Sequence, residues 1–228
     1  MVLKATSTVL ALLGLGASQQ LGKTIPEVHP QLTTYKCTKS NGCTAQNSLI
    51  VAEQDWRLVS AVDGSGVCKQ PGRGALNKTL CPDAVTCAKN CALEGVNYTS
   101  IGVNTKADSL KLDMYVGSLD VSPRVYLLDR DGKSYEDLKL LNAEISFDVD
   151  VSKLPCGMNG ALYLSEMDMD GGRSDLNPAG ASRGTGYCDA QCYTTHTWTN
   201  GVVIRPRFIF SSLIAGEFIP TRWLTVPA

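Results

Sequence analysis

Histidine is scarce in this chain: among 228 residues only His29 and His196 carry an imidazole. With no Gly-x-Ser-x-Gly present either, a serine-hydrolase triad finds no support. An excess of charge is missing too. The net charge is -1 with Lys and Arg scattered along the chain, so there is no electrostatic footprint for nucleic acid, and a neutral polymer suits this surface better. There is no internal repeat, no low-complexity linker and no apolar run long enough to span a bilayer. The longest early run, Val9 to Leu15, lies behind Lys4 and ahead of Gly16, Ala17 and Ser18. That pattern reads as a secretory signal over residues 1–18, cleaved after Ser18, leaving an extracellular protein with no membrane segment.

What is present fits export. Nine cysteines in a secreted chain read as disulfides, and Cys81-x5-Cys87-x3-Cys91 is taken as bridge-forming rather than zinc-binding, so no metal is expected. An odd number leaves at least one without an intrachain partner. Asn77-Lys-Thr and Asn97-Tyr-Thr are N-glycosylation sequons, each of which places its loop at the surface.

Periodicity points to strands. Thr33 to Thr38 leads into the turn signal Ser40-Asn41-Gly42, which could close a tight Cys37–Cys43 loop. Asp63 to Gly66 and Pro71 to Gly74 are loops by composition, and Pro82-Asp83 through Asn90 makes a short helix with Asp83 at its start. Further strands are expected at Ser109–Tyr115, Arg124–Leu128, Glu136–Leu141, Glu144–Val149 and Ala161–Met167. Many short strands with little helical periodicity imply one all-β sandwich. The segment from Cys156 to Cys192 reads as a strand feeding a long ordered loop, whose Gly, Asn and Pro content calls for anchors. Cys188 and Cys192 look like those anchors.

Several long motifs carry a family resemblance: PEVHPQLTTYKCTKSNGC from Pro26, TLCPDAVTCAKNC from Thr79, PRVYLLD from Pro123, ISFDVDVSKLPCG from Ile145, then CGMNGALYL from Cys156 and GTGYCDAQC from Gly184. Occurring in this order, they resemble the family 7 glycoside hydrolases, the fungal secreted cellulases, over residues 19–201. The resemblance implies a concanavalin-like jelly roll of two curved antiparallel sheets, here truncated, whose concave sheet holds β-1,4-glucan such as cellulose. It also implies a monomer, no cofactor, and bridges Cys37–Cys43, Cys68–Cys91 and Cys81–Cys87. The family partners of Cys156, Cys188 and Cys192 lie further along than this sequence goes, which accounts for the odd count.

The resemblance further implies retaining hydrolysis by two carboxylates about 5–5.5 Å apart, borne on a Glu-x-Asp-x-x-Glu motif. No such motif follows Cys192, so no catalytic residue is assigned and the chain is expected to be an inactive glucanase as it stands. Glu166-x-Asp168-x-Asp170 begins like it, but Gly171 stands where the second Glu belongs; a solvated strand end and turn is the reading. Asp129-x-Asp131-Gly132 and Asp168-x-Asp170-Gly171 echo calcium loops without the remaining ligands and read as turns.

For sugar contacts, the motif match points to Trp56 as a stacking platform, and to Asn159, Tyr163, Asp189 and Gln191 near the cleavage position. Arg124 and Tyr98 complete the expected groove. Leu58 replaces the second tryptophan of cellobiohydrolases. With PRVYLLDRDG and the single cysteine of CALEG, it leans the resemblance towards an open-groove endoglucanase. A non-catalytic glucan-binding protein is the alternative. Residues 202–228 match nothing in the family and read as an intron or shifted frame, with an aggregation-prone run from Phe208 to Ile214.

Overall fold

The computed structural model describes residues 19–72 and 74–187, with the backbone of 198–199 and 202–203. Residues 1–18, expected to be a signal, and Cys188, Asp189, Gln191, Cys192, His196 and nearly all of the tail lie outside the described residues. The strands are β1 (Gln20–Leu21), β2 (Gln31–Thr38), β3 (Gly42–Ala52), β4 (Val59–Ala61), β5 (Val67–Lys69), β6 (Cys91–Leu93), β7 (Val103–Lys106), β8 (Ser109–Leu112), β9 (Tyr115–Val116), β10 (Leu119–Asp120) and β11 (Val125–Leu128), followed by a short pair, β12 (Trp198–Thr199) and β13 (Val202–Val203). Among the described residues one α-helix, α1 (Ala84–Asn90), and three short 3-10 turns interrupt them, so the fold is all-β.

The β2–β3 hairpin turns where the sequence expects it to. Thr38 Oγ1 accepts from the Asn41 amide at 3.1 Å, and Gly42 takes a φ of +64°, a left-handed conformation that glycine adopts without steric cost. Cys37 then faces Cys43 across the ladder and is bridged to it. Helix α1 begins at Asp83, whose carboxylate accepts from the Thr86 amide at 2.8 Å and occupies an otherwise unmet donor of the first turn.

Two sheets build the core. β1-β6-β4-β5 is one, and β11-β3-β2 the other, with β3 central. Alternation along β3 sends Ile50 and Ala52 to one face and Val51 to the other. Ile50 and Ala52 pack with Val96, Tyr98, Ile101 and Val103, while Val51 packs with Leu128, Tyr135 and Ala181. Both faces of β3 are therefore covered at this end. A third cluster surrounds the Cys68–Cys91 and Cys81–Cys87 bridges with Val59, Ala61 and Leu93. Three of these sulfurs, from Cys68, Cys81 and Cys91, come within 4.8 Å of one another, and all are consumed in bridges.

Three expected strands are not strands. Glu136–Leu141, Glu144–Val149 and Ala161–Met167 form no ladder among the described residues, and 137–170 is exposed along most of its length. The apolar alternation is real, with Ile145, Phe147 and Val149 in register, but a strand exists only where a neighbour supplies hydrogen bonds, and β11 reaches only the first residue of these segments, through the Glu136 amide to the Leu127 carbonyl at 3.0 Å. The expected strand Ser109–Tyr115 divides in two, because β8 pairs with β7 while Tyr115 pairs with β10.

The glycine-rich loop after this stretch is ordered by hydrogen bonds. Asp170 Oδ1 accepts from the amides of Gly172 and Arg173, at 3.0 and 3.2 Å. Asn177 and Thr185 are fully buried and jointly clasp the Gly171 carbonyl, at 3.1 and 2.8 Å, and Tyr135 donates to the Thr185 carbonyl at 2.6 Å. Gly184, at φ +69°, passes so close to Ala52 that a Cβ would lie 2.1 Å from the Ala52 carbonyl oxygen. Among the described residues these contacts anchor the loop; the expected anchors Cys188 and Cys192 lie outside them.

Candidate functional site

The site grows from the end of β3. After Ala52 the chain enters a tight turn, Gln54–Trp56, which presents Glu53 on one side and Trp56 on the other. Glu53 is buried, and its carboxylate accepts from Tyr126 Oη at 3.1 Å and pairs with Arg124 Nε at 3.3 Å. The backbone repeats the link, since the Glu53 amide donates to the Arg124 carbonyl at 3.0 Å. Arg124 leaves about half its side chain, 48 %, in solvent and sets its guanidinium 5.0 Å over the Tyr187 ring. Tyr126 stands edge-on to Tyr135 at 5.5 Å and tilted against Tyr187 at 6.1 Å.

Electrostatics keep this cluster in one protonation state. Burial pushes the Arg124 guanidinium down, yet the Glu53 charge together with Tyr126 and Tyr187 outweighs it and raises its proton affinity. Burial and the neighbouring Glu53 charge also push the Tyr126 phenol well above its ordinary value. Arg124 is a fixed cation, and Tyr126 a fixed donor.

On the other side of the turn Trp56 is half-buried against the Ile50–Tyr98 cluster. The Pro71–Gly72 loop lies against its indole, because a Cβ on Gly72 would meet Trp56 at 3.5 Å. Lys69 fastens that loop by donating to the Gly72 carbonyl at 2.6 Å and pairing with Asp55 at 3.6 Å. The turn thus carries a half-buried indole, and through Glu53 it is tied to a half-exposed guanidinium that stands just ahead of β11. Such a pair suits neutral, hydroxyl-rich rings.

The other expected sugar contacts fall elsewhere. Tyr98 corrects the sequence reading: it is 6 % exposed, and its hydroxyl donates to Glu27 Oε1 at 2.6 Å while lying 3.3 Å from the Ala52 amide. Burial and the Glu27 charge push its phenol up, which makes it a structural donor below the surface. Asn159 and Tyr163 are exposed within 137–170, away from the Trp56 turn in the chain. Asp189 and Gln191 lie outside the described residues. Glu166 and Asp168 are exposed, and Asp170 serves its turn; Asp131 likewise caps a turn, accepting from the Lys133 and Ser134 amides at 2.6 and 3.0 Å. Asn77 and Asn97 are both exposed, and Cys156 is an exposed free thiol.

One feature left little trace in the sequence. Beneath the turn Arg57, with no exposed surface, grips Glu27 through both terminal nitrogens, one of them at 3.1 Å, and donates from Nε to the Arg183 carbonyl at 2.9 Å. Arg183 and His29 reach the same carboxylate at 3.7 and 3.3 Å. Burial pushes the Glu27 carboxyl up, but the Arg57 hydrogen bonds and charge prevail and hold it below the ordinary range. The Pro26–Pro30 segment is thereby locked under the site. The only sequence signal was that Glu27 and His29 sit inside the first shared motif.

The family profile described as glycosyl hydrolase family 7 matches residues 21–206, past the Gly201 where the motif resemblance ends. The chain is 56 % identical over 199 residues to a probable endo-beta-1,4-glucanase celB of Aspergillus clavatus, covering 85 % of this chain and 47 % of that protein. The native structure of Humicola insolens endocellulase EGI superposes with a TM-score of 0.72 at 46 % identity, over 81 % of this chain and 47 % of that one. An endoglucanase I complexed with cellobiose superposes with a TM-score of 0.70 at the same 46 % identity, over 81 % and 47 % of the two chains. The chain therefore spans about half the length of the relatives it matches. It shares their jelly-roll β-sandwich, with sheets that are not closed.

Proposed function

Because the chain belongs to glycosyl hydrolase family 7, we propose that it is part of a secreted endo-β-1,4-glucanase and holds β-1,4-glucan at the Trp56–Arg124 surface. Its likeness to a probable endoglucanase at 56 % identity is the observation that carries this reading. In the reading, a glucose ring stacks on the Trp56 indole and Arg124, kept cationic by Glu53, donates to sugar hydroxyls. Asn159, Tyr163, Asp189 and Gln191 are assigned to the same groove by motif.

Glu53 is not proposed as a catalytic acid, since Arg124 and Tyr126 occupy its carboxylate. No Glu-x-Asp-x-x-Glu occurs in the 228 residues, and without two such carboxylates the retaining mechanism has neither nucleophile nor proton donor. A polypeptide of this sequence therefore binds glucan without cutting it, and a longer chain that supplies the motif hydrolyses it. The test pairs a cellulose pull-down with a reducing-end assay on soluble glucan, using purified 228-residue protein. Retention on cellulose without new reducing ends is expected, with Trp56→Ala weakening retention about two- to tenfold. Glucan cleavage by protein free of contaminating cellulase defeats the proposal of inactivity, and failure to bind defeats the groove.

The second reading is a non-catalytic glucan-binding β-sandwich protein that keeps part of the groove. Fusing a motif-bearing C-terminal half from an endoglucanase to this chain separates the two: restored turnover excludes it.

A further inference from the structure

A cavity of about 460 Å³ opens between the N-terminal segment and the turn after β6, lined by Ile25, Pro26, Val28 and Pro30 on one wall and by Val96, Asn97, Tyr98 and Thr99 on the other. That volume is within the about 300–1,000 Å³ typical of pockets that hold small-molecule-sized groups. The walls are held apart at a set distance. Gly95 donates to the Ile25 carbonyl at 3.0 Å, and a Cβ on Gly95 would lie 2.4 Å from that oxygen, so the two segments touch backbone to backbone beside the cavity. The Glu27–Tyr98 bond at 2.6 Å ties them beneath it. The rim is apolar and open, with Val28 72 % exposed.

Asn97 and Thr99, two of the lining residues, are the first and third residues of the Asn97-Tyr98-Thr99 sequon. Asn97 is exposed, and its Oδ1 makes one long contact, 3.4 Å from the Ser100 amide. Asn77, the acceptor of the other sequon, has its Nδ2 donating to the Val67 carbonyl at 3.4 Å and its Oδ1 accepting from Thr79 and Leu80. We infer that an N-glycan on Asn97 seats its innermost N-acetylhexosamine in this cavity, across Pro26, Val28 and Pro30, and splints the N-terminal segment to the body of the protein. An acetamido methyl and the C–H face of a pyranose match apolar walls, while their hydroxyls stay in solvent. The inference is independent of glucan binding and requires only passage through a glycosylating secretory route.

Expression in a secreting yeast, followed by glycopeptide mass spectrometry, reads the modification. Trypsin cleavage at the exposed Lys23, next to the splinted segment, reads the contact. The Asn97 peptide is expected to carry glycan. Thr99→Val, which keeps the side-chain shape and destroys the sequon, should lose it and raise cleavage at Lys23 about fivefold, as should enzymatic glycan removal from the wild type. Thr99→Ser keeps the sequon and should keep both glycan and protection. Val28→Ser should raise cleavage in the glycosylated protein and leave the Thr99→Val protein unchanged. An unmodified Asn97 in secreted protein overturns the inference. So does a modified Asn97 whose glycan can be removed without altering cleavage at Lys23.

Discussion

Leu49 to Ala52 and Glu144 to Val149 carry similar β-prone, apolar sequence and reach opposite ends. The first lies in the central strand of a three-stranded sheet, paired with β11 along its length and with β2 at Leu49, with Val51 at 0 % exposure. The second has no strand partner among the described residues, with Val149 at 51 %. The first is a continuous apolar run and the second alternates polar with apolar residues, yet both are β-prone, and only the first has neighbours to pair with. Burial is a property of the ladder and its coverings, and a strand-shaped sequence without them stays in water.

The packed region owes its order to buried polar contacts and bridges as much as to apolar burial, and removing these should bring it towards the state of 137–170. Arg57→Ala leaves Glu27 buried without its main partner and should lower the unfolding free energy by about 3–5 kcal/mol in urea titration. A loss below about 1 kcal/mol would mean that the network is not what distinguishes this region. Since Glu27 titrates below its ordinary 4.5, the stability it provides is in full force above that value and drains away as pH falls through the lowered folded-state value. Thermal melts should show that acid loss in the wild type and a shallower one in Arg57→Ala.

Replacing Cys68 and Cys91 together by Ser should cost about 2–5 kcal/mol. The corresponding change at Cys37 and Cys43 should cost about 1 kcal/mol less, because that bridge spans 6 residues rather than 23. Equal losses would contradict an unfolded-state entropy account. Thr185→Val removes a fully buried hydroxyl from between Asn177 and the Gly171 carbonyl, for an expected loss of about 1–3 kcal/mol. At the other extreme, Leu141→Lys, at a position 90 % exposed, should alter stability by no more than about 0.5 kcal/mol. Hydrogen exchange sharpens the contrast most directly: amides of 50–52 should be protected and those of 145–149 should exchange rapidly. Protection at 145–149 would show that the second stretch is paired after all.

Much of the local structure was legible. Ser40-Asn41-Gly42 announced the hairpin, Asp83 announced the helix start, and the shared cysteine motifs carried the family. The candidate site was half legible: Trp56 and Arg124 were picked out by motif, but nothing nearby in sequence said that Glu53 joins them or that Tyr98 faces inward to Glu27, 71 residues away. Long-range partners leave no periodic trace. Three predicted strands failed for the same reason, since alternation describes one chain segment and pairing needs two.

Turn chemistry, capping and the in-out rhythm of each strand are consequences of short-range sterics and hydrogen bonding, and they could be read residue by residue. The Glu27–Arg57 lock, the clasp of Asn177 and Thr185 on Gly171, and the division between covered and bare β segments arise only when distant segments meet. There the removal of water turns modest polar contacts into obligatory ones, and no local pattern records which segments will come together.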